Sequence, residues 1–225
     1  MRGGLVVSVQ AAPGSPLAEP EQLVAMARAV EAGGAVGIRA EGLAAIAAIR
    51  AAVDVPLIGL VKRCVPGSEV YITPTLEDAL AIAEAGAELV AADATGRPRA
   101  DGAGGAEFVA TLTAELPGSI VADVDGAAAG RAAAEAGVAA VATTLSGYTG
   151  AEDVDGPDVR LVAELAAELE VPVLAEGRYA TPAHVRAAFE AGAFAVVVGT
   201  AITDPTALTA GLAAAAPGGA DGPAA

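Results

Sequence analysis

Short apolar runs alternate along this chain with longer, alanine-rich stretches. Each run is bounded by glycine or polar residues, a pattern typical of parallel strands that are buried on both faces. The stretches between the runs have the length and composition of helices. The pattern predicts eight strands, at residues 5–9, 35–38, 56–61, 89–92, 119–122, 139–142, 172–175 and 195–198.

The tripeptide Glu-Ala-Gly recurs four times, each time before one of these runs. Its copies lie 53, 51 and 55 residues apart and end at Gly33, Gly86, Gly137 and Gly192. Glycine is favoured where a helix ends in a residue with positive φ, so each copy predicts a helix end. Thr75 and the Thr181-Pro182 pair predict two helix starts.

Alternating strands and helices form right-handed strand–helix–strand units. Eight such units within 225 residues predict an α/β fold, a single parallel eight-stranded (β/α)8 TIM barrel. An open doubly wound sheet is the alternative, but it usually has a glycine-rich loop after its first strand, where this chain has Gln10-Ala11-Ala12-Pro13. We assign residues 1–212 to the barrel and expect the Ala/Gly/Pro-rich tail, residues 213–225, to be disordered.

The residue that follows each predicted strand is polar or glycine. In a (β/α)8 barrel these positions converge on the mouth, where active sites lie. The loop at residues 149–157 is long enough to cover that mouth. The polar strand ends are Gln10, Arg39, Lys62, Asp93, Asp123, Thr144, Glu176 and the pair Gly199-Thr200.

Lys62 is the only lysine among twelve basic residues. An ammonium, unlike a guanidinium, can lose its proton when desolvated, so Lys62 is a candidate acid–base or Schiff-base group. Glu176 follows the seventh run and would face Lys62 across the mouth. Such a pair can move protons on opposite faces of one carbon, as an epimerisation requires. A structural ion pair is the alternative interpretation.

Other residues at the predicted mouth suit an anionic ligand. Gly177 and the Gly199-Thr200 pair follow the last two strands, where such barrels commonly hold phosphate on backbone N–H groups. Ordinary turn glycines are the alternative. Arg39 and Arg63 are candidates for an anion clamp.

Asp93 and Asp123 are candidates for binding substrate hydroxyls or a metal. A metal would ordinarily require histidine or a tighter carboxylate cluster, and the only histidine, His184, falls in a predicted helix. We therefore predict a phosphorylated small molecule as the ligand, with no metal and no cofactor.

Charge and composition narrow the possible partners. A formal net charge of −16 argues against nucleic acid and anionic membranes. No apolar run approaches the roughly 18 residues of a membrane span, and the N-terminus leads directly into the first predicted strand, so we expect no signal peptide. Cys64 is the only cysteine, which excludes an intrachain disulfide and favours a cytoplasmic protein.

The chain resembles the N-acetylmannosamine-6-phosphate 2-epimerase family from about residue 5 to residue 205. The matching blocks occur in order and at matching spacings. They are VSVQ (7–10), GGAVGIRA (33–40), IGLVKR (58–63), ITPT (72–75), ADAT (92–95), ADV (122–124), TTLSGYT (143–149), AEGR (175–178) and VVGTAIT (197–203).

The resemblance implies cofactor-free interconversion of N-acetyl-D-mannosamine 6-phosphate and N-acetyl-D-glucosamine 6-phosphate through the proton at C2. It implies that Lys62 is the acid–base group at C2 and that Glu176 is its catalytic partner. It also implies sugar contacts at Gln10, Arg39 and Asp123 and phosphate loops at Gly177 and Gly199.

At one position the chain departs from the family pattern. After residues 201–203 the family commonly has an arginine that contacts the phosphate, whereas this chain has Asp204. Either Asp204 turns away and Arg178 or Arg63 supplies the charge, or the substrate preference differs.

Two other functions remain open from the residues alone. One is a lyase or synthase that forms a Schiff base between Lys62 and a phosphorylated sugar. The other is a non-catalytic barrel that binds a phosphosugar. Because small barrels often pair, we also expect a homodimer.

Overall fold

The structure, a computed structural model, describes residues 1–12, 14–150 and 155–216. Eight parallel strands follow one another around a closed barrel, in which the last strand pairs with the first. The predicted (β/α)8 barrel is confirmed, and the open sheet is excluded. The strands are β1 (Leu5–Val9), β2 (Gly37–Glu41), β3 (Leu57–Leu60), β4 (Leu89–Asp93), β5 (Ile120–Asp123), β6 (Ala140–Ala142), β7 (Val173–Glu176) and β8 (Ala195–Val198).

A helix follows each strand, and a further helix comes after the one behind β8. Thr75 caps α3 in a reciprocal pair of hydrogen bonds with Asp78, and Thr181 caps α7 ahead of Pro182, as their sequence signals predict. The helices are α1 (Pro20–Ala32), α2 (Leu43–Arg50), α3 (Leu76–Glu84), α4 (Gly105–Glu115), α5 (Ala127–Glu135), α6 (Val159–Glu168), α7 (Pro182–Glu190), α8 (Thr200–Thr203) and α9 (Pro205–Ala214).

The glycines of the Glu-Ala-Gly repeat have positive φ in three copies of four. Gly86, Gly137 and Gly192 have φ of 104°, 83° and 96°. In the first copy, Gly33 is still helical with φ of −74°, and Gly34, at 99°, makes the turn. The prediction for Gly33 was therefore wrong by one residue, because α1 continues through Ala32 and the second glycine offers the same conformational freedom.

Two apolar layers surround the strands. The outer layer lies between strands and helices, and the inner layer fills the barrel. In β3, Ile58 and Leu60 belong to the inner layer, and Lys62 follows two residues later. Gly59 faces the helices, where a Cβ atom would lie 2.5 Å from Cγ2 of Ile82. This alternation explains why the polar residue beyond the strand lies above the barrel core.

The predicted end of the second strand was wrong. Arg39 lies in the middle of β2, which continues through Ala40 and ends at Glu41; Gly42, whose φ is 88°, follows. A charged residue is tolerated inside this strand because carboxylates from two other strands compensate its charge, as described below. The polar residue at the true end of β2 is Glu41.

The chain after the barrel includes α9, none of whose side chains is buried. Residues 213 and 214, at the start of the predicted tail, are helical, whereas residues 217–225 lie outside the described part. Disorder of that tail stays a prediction. None of the helices in the described part of the chain is long and apolar enough to cross a membrane.

Candidate active site

A cavity of about 550 Å³ opens at the carboxyl ends of the strands. It lies where active sites occur in barrels of this kind. Residues of β1, β2, β7 and β8 line it, together with residues of the segments that follow β1, β3, β6, β7 and β8 and residues of α8 and α9. The lining includes Gln10, Arg39, Lys62, Glu176, Gly177 and Gly199.

Lys62 is held in a short hairpin beyond β3. It forms an antiparallel bridge with Ile72, and N–H of Thr73 donates to the carbonyl of Val61 at 2.8 Å. The carbonyl of Ile72 accepts from N–H of Asp93 at 3.1 Å, which ties the returning segment to β4. The backbone of Lys62 is therefore positioned by two neighbouring strands and not by a free loop.

Thr73 anchors this hairpin in an unusual conformation. It is fully buried and has φ of 45°, which is a sparsely populated region for a β-branched residue. Its hydroxyl donates to the carbonyl of Ala91 at 2.6 Å and accepts from N–H of Val61 at 3.4 Å. Such a backbone persists only where surrounding contacts impose it, and here the contacts fix the segment opposite Lys62.

The Lys62 ammonium lies between an amide and a carboxylate. Its Nζ donates to Oε1 of Gln10 at 2.6 Å and lies 3.6 Å from Oε2 of Glu41. Nε2 of Gln10 donates to Oγ of Ser8 at 2.7 Å, which orients the amide oxygen towards the amine. The Lys62 side chain is 41% exposed, so the amine is accessible from the cavity.

Arg39 is the centre of a buried cluster of charged side chains. Its two terminal nitrogens donate to the two carboxylate oxygens of Asp123, at 3.0 and 2.6 Å. Nη1 also lies 3.0 Å from Oε2 of Glu176. Thr144 donates from Oγ1 to Oδ1 of Asp123 at 2.7 Å. One guanidinium therefore compensates two carboxylates, and Asp123 has the better geometry of the two.

Glu176 is the less satisfied of these carboxylates. Its Oε2 is buried and finds no hydrogen-bond donor in the described part of the chain, where Nη1 of Arg39 donates to Asp123. Burial raises the pKa of Glu176, and the negative charge of Asp123 raises it further. The charges of Arg39 and Lys62 oppose this shift. A raised pKa favours the protonated form of this carboxyl group, which a proton donor requires.

The glycines after β7 and β8 line the same cavity. Gly177 has φ of 109°, and Arg178 after it has φ of 59°, so the chain turns sharply beyond Glu176. Gly199 and Thr200 follow β8 and face the cavity beside them. These positions bring two stretches of backbone close to a ligand without intervening side chains.

No group of three or more His, Cys, Asp or Glu in residues 1–12, 14–150 and 155–216 is arranged to hold a metal ion. Asp93 and Asp123, the two acids considered for a metal, are instead engaged by protein groups. Asp93 accepts from Oγ1 of Thr95 at 2.7 Å and pairs with Arg97. The cofactor-free reaction stays a prediction.

Comparison with known proteins gives consistent matches over most of the chain. Residues 23–216 match the model of a family described as "Putative N-acetylmannosamine-6-phosphate epimerase". A protein of Cutibacterium acnes described as a "Putative N-acetylmannosamine-6-phosphate 2-epimerase" is 49% identical over 212 residues, covering 93% of this chain and 92% of the relative. A relative in Caldanaerobacter subterraneus with the same description is 44% identical over 211 residues, covering 93% and 89%.

The chain belongs to the N-acetylmannosamine-6-phosphate 2-epimerase family.

Solved structures extend the comparison. The N-acetylmannosamine-6-phosphate 2-epimerase from Clostridium perfringens superimposes with a TM-score of 0.90 at 35% identity, covering 96% of this chain and 94% of that one. A thiamine phosphate pyrophosphorylase from Pyrococcus furiosus reaches a TM-score of 0.59 at 15% identity, covering 90% and 88%. The second match shows only the barrel fold. The first places this family's architecture over nearly the whole chain.

The structure brings most of the predicted site residues into one cavity. Asp93 and Asp123 are exceptions: both are fully buried and neither is among the described lining residues, and the carboxylate of Asp123 lies behind Arg39. A direct contact of Asp123 with sugar stays a prediction. The predicted residues that line the cavity are Gln10, Arg39, Lys62, Thr144, Glu176, Gly177, Gly199 and Thr200.

Of the three side chains considered for the phosphate, only Arg178 lines the cavity. Arg63 lies outside it and donates from Nε to Oδ1 of Asp78 at 2.9 Å. Asp204 caps α9 by accepting from N–H of Ala207 at 2.9 Å. Asp204 therefore turns towards the helix and does not face the described cavity.

Sequence reasoning missed several residues of the site. Glu41 was overlooked because the predicted second strand ended three residues before the observed end of β2. Tyr71, Tyr148 and Leu145 line the cavity from loops, where no strand period marks them. Ser8 occupies the inward position two residues before Gln10, and that spacing of two is the signal that would have identified it.

Proposed function

We propose that this protein is a cofactor-free isomerase that interconverts N-acetyl-D-mannosamine 6-phosphate and N-acetyl-D-glucosamine 6-phosphate. The observation that carries the proposal is the presence, in one cavity, of the only lysine and of a buried glutamate with a raised pKa. Family membership supports the same substrate. Two proton-transferring groups around one space are what inversion at a C–H centre requires.

The first step is removal of the proton from C2 of the open-chain sugar. The C2–H bond breaks, its electrons move into the C1–C2 bond, and the aldehyde oxygen at C1 becomes negatively charged. Either Lys62 as a free amine or Glu176 as a carboxylate takes the proton. Arg39 lines the cavity beside Glu176 and stabilises the developing negative charge electrostatically.

The second step returns a proton to C2 from the opposite face. The group that did not remove the first proton must be protonated at this stage, so one of Lys62 and Glu176 starts as the acid and the other as the base. The raised pKa of Glu176 favours its protonated form, and the contact of Lys62 with Gln10 holds the amine in place. The reverse reaction exchanges the two roles.

Proton NMR in D2O tests this function directly. Wild-type protein is expected to exchange the C2 proton of N-acetylmannosamine 6-phosphate for deuterium and to form the 2-epimer. Lys62→Met and Glu176→Gln are both expected to lose formation of the 2-epimer, and the variant that lacks the base for this substrate is expected to lose deuterium exchange as well, while Arg63→Met, outside the cavity, retains both signals. Undiminished formation of the 2-epimer by Lys62→Met would refute the role of the amine.

Borohydride trapping separates the epimerase from a Schiff-base lyase. Because Lys62 is the only lysine, reduction in the presence of substrate can modify only this side chain or the N-terminus. The epimerase is expected to give no adduct at Lys62 and no cleavage of the sugar. A Lys62 adduct that is required for turnover would favour the lyase, and binding without isotope exchange would favour a non-catalytic binding protein.

We further propose a homodimer that acts in the cytoplasm and binds neither nucleic acid nor membranes. The fully uncovered helix α9, with Leu212 at 77% exposure, supports burial against a second copy. The net charge of −16 supports the exclusion of polyanionic partners. Light scattering after size-exclusion chromatography is expected to give twice the 21.6 kDa chain mass.

A further inference from the structure

We propose that Arg99 is a positioning residue for the catalytic amine: by holding two backbone carbonyls, one beyond β3 and one at the end of β4, it fixes the hairpin that carries Lys62. This inference rests on the proposed function for the role of Lys62 in turnover. It does not rest on it for the place of Lys62 in the cavity, which a separate measurement reports.

Arg99 is a buried arginine in the segment between β4 and α4, with 5% of its surface exposed. Nη2 donates to the carbonyl of Pro74 at 2.6 Å, and Nη1 donates to the carbonyl of Asp93 at 3.2 Å. Cζ lies 3.4 Å from the ring centre of Phe108, as in a cation–π contact. Burial lowers the pKa of Arg99, and the charges of Asp101 and Asp93 oppose this shift. Burying a guanidinium costs desolvation free energy, and its forked donors offset that cost here by joining two backbone segments.

The carbonyl of Pro74 lies at the base of the Lys62 hairpin. Pro74 follows Thr73, whose φ of 45° is a sparsely populated conformation. N–H of Thr73 donates to the carbonyl of Val61 at 2.8 Å, directly before Lys62 on the other arm. The hydrogen bond from Arg99 to Pro74 therefore holds the strained turn one residue from the point where the two arms meet.

The carbonyl of Asp93 joins the same hairpin to β4. N–H of Asp93 donates to the carbonyl of Ile72 at 3.1 Å, and Ile72 forms the antiparallel bridge with Lys62. The carbonyl of Asp93 accepts from Arg99, which also donates to Pro74 on the returning arm. Arg99 therefore closes a ring of hydrogen bonds that ties residues 72–74 to the last residue of β4.

The two residues before Arg99 contact the hairpin further out. The carbonyl of Pro98 accepts from N–H of Glu69 at 2.8 Å. The guanidinium carbon of Arg97 lies 5.4 Å from the ring centre of Tyr71. Residues 97–99 therefore run along the returning arm, and Arg99 is the only one of the three that is buried.

Loss of this support is expected to move Lys62 and to leave Glu176 in place. Glu176 ends β7, where its N–H donates to Oγ1 of Thr143 at 3.0 Å, away from the hairpin. Proton transfer requires close alignment with C2, and a displacement of about 1 Å can lower the rate about 100-fold. Because the other contacts of the substrate stay as they are, kcat is expected to fall more than KM rises.

Steady-state kinetics of Arg99→Met and Arg99→Lys with N-acetylmannosamine 6-phosphate tests the proposal. Arg99→Met is expected to lower kcat about 10- to 100-fold, with KM within about threefold of wild type. Arg99→Lys keeps the charge but not the forked donors, so it is expected to recover only part of kcat. Equal kcat in wild type and Arg99→Met would overturn the proposal.

Leu165→Ala is the matched control for a general loss of stability. Leu165 is fully buried in the outer apolar layer on α6, which follows β6, three strands further around the barrel than β3. This variant is expected to lower the melting temperature. Its kcat, measured below the unfolding transition, is expected to stay within about twofold of wild type. If Leu165→Ala lost as much kcat as Arg99→Met, loosening of the whole fold would explain both losses, and the proposal would fail.

Isotope labelling of Lys62 keeps this inference separate from the proposed function. Because Lys62 is the only lysine, reductive methylation with 13C-formaldehyde labels this side chain and the N-terminus alone, and Lys62→Met identifies the N-terminal signal. In Arg99→Met the Lys62 methyl signal is expected to shift towards its position in urea-unfolded protein, and in Leu165→Ala to stay in place. An unshifted signal in Arg99→Met would refute the role of Arg99. If wild type epimerised no sugar, the proposed function would fail, and the labelled lysine would still decide whether Arg99 positions it.

Discussion

Arg39 and Asp123 form a two-point ion pair inside the barrel, with nitrogen–oxygen distances of 3.0 and 2.6 Å. Their side chains are 2% and 0% exposed, and they come from strands 84 residues apart in the sequence. Glu176 is a second carboxylate on the same guanidinium, at 3.0 Å. Arg39 therefore compensates two carboxylates, of which Asp123 has the better hydrogen bonds. Replacing each carboxylate with its amide is expected to change the stability of the protein in opposite directions.

Glu176→Gln is expected to make the protein more stable at neutral pH while it abolishes turnover. The change removes the surplus negative charge and leaves Arg39 and Asp123 as a balanced pair. The pKa of Glu176 is raised from its ordinary value of 4.5, so below that pH the carboxyl is protonated in both the folded and the unfolded chain. As the pH rises, the unfolded chain ionises first, and folded wild type loses stability until its own carboxyl ionises.

Urea unfolding of wild type and Glu176→Gln between pH 4 and pH 8 measures this effect. The difference in the free energy of unfolding is expected to grow above pH 4.5 and then level off, by about 1.4 kcal/mol for each unit by which the pKa is raised. Glu190→Gln, at the exposed end of α7, is the control. A difference that shrinks with rising pH would contradict the raised pKa.

Asp123→Asn is expected to have the opposite effect on stability. It removes the better-bonded carboxylate and leaves Arg39 with Glu176 alone. The expected loss is about 3 kcal/mol, at the lower end for breaking a buried ion pair, because Glu176 still compensates the charge. The measurement is thermal or urea unfolding of Asp123→Asn and Glu176→Gln under the same conditions. Both variants keep the size of the side chain, so the comparison shows what each negative charge next to Arg39 contributes to stability.

The same variant is expected to shift the pH profile of the reaction. The charge of Asp123 raises the pKa of Glu176, and without it Arg39 is also freed to stabilise the ionised form of Glu176. The limb of the kcat/KM profile that reports Glu176 is therefore expected to move to lower pH. An unchanged limb would mean that Glu176 does not titrate in the rate-limiting step.

Thr73 is expected to matter for activity through its hydroxyl. Thr73→Val keeps the shape but leaves the buried carbonyl of Ala91 without a donor, at a cost of about 1–3 kcal/mol. The hairpin that carries Lys62 then loses its anchor, so kcat is expected to fall more than KM changes. Thr73→Ser retains the hydroxyl and is expected to recover most of kcat; equal losses in both variants would show that the hydroxyl is not the cause.

Asp204 is expected to influence stability and not substrate affinity. Its carboxylate caps α9, so Asp204→Ala should lower the free energy of unfolding by about 1 kcal/mol, while Asp204→Asn keeps the cap. KM for the phosphorylated sugar is expected to stay within about twofold of wild type in Asp204→Asn. A marked fall in KM would mean that the carboxylate repels the phosphate.

Local sequence was sufficient for the strands, most helix ends and the residues at the barrel mouth. The apolar runs, the Thr75 cap and three of the four repeat glycines reflect preferences that act within a few residues. Such local preferences could not predict that Arg39 lies inside β2, because a charged residue after four apolar residues normally marks the end of a strand. Only the carboxylates of Asp123 and Glu176, supplied by β5 and β7, allow β2 to continue past it.

The polar strand ends and the single lysine identified where chemistry would occur, because a barrel directs every strand end to one mouth. The sequence could not show which charged side chains pair with each other. That Asp123 pairs with Arg39 and that Oε2 of Glu176 finds no hydrogen-bond donor among the described residues both follow from barrel closure. Pairing between charges depends on distance and desolvation, and both arise only when distant strands are brought together.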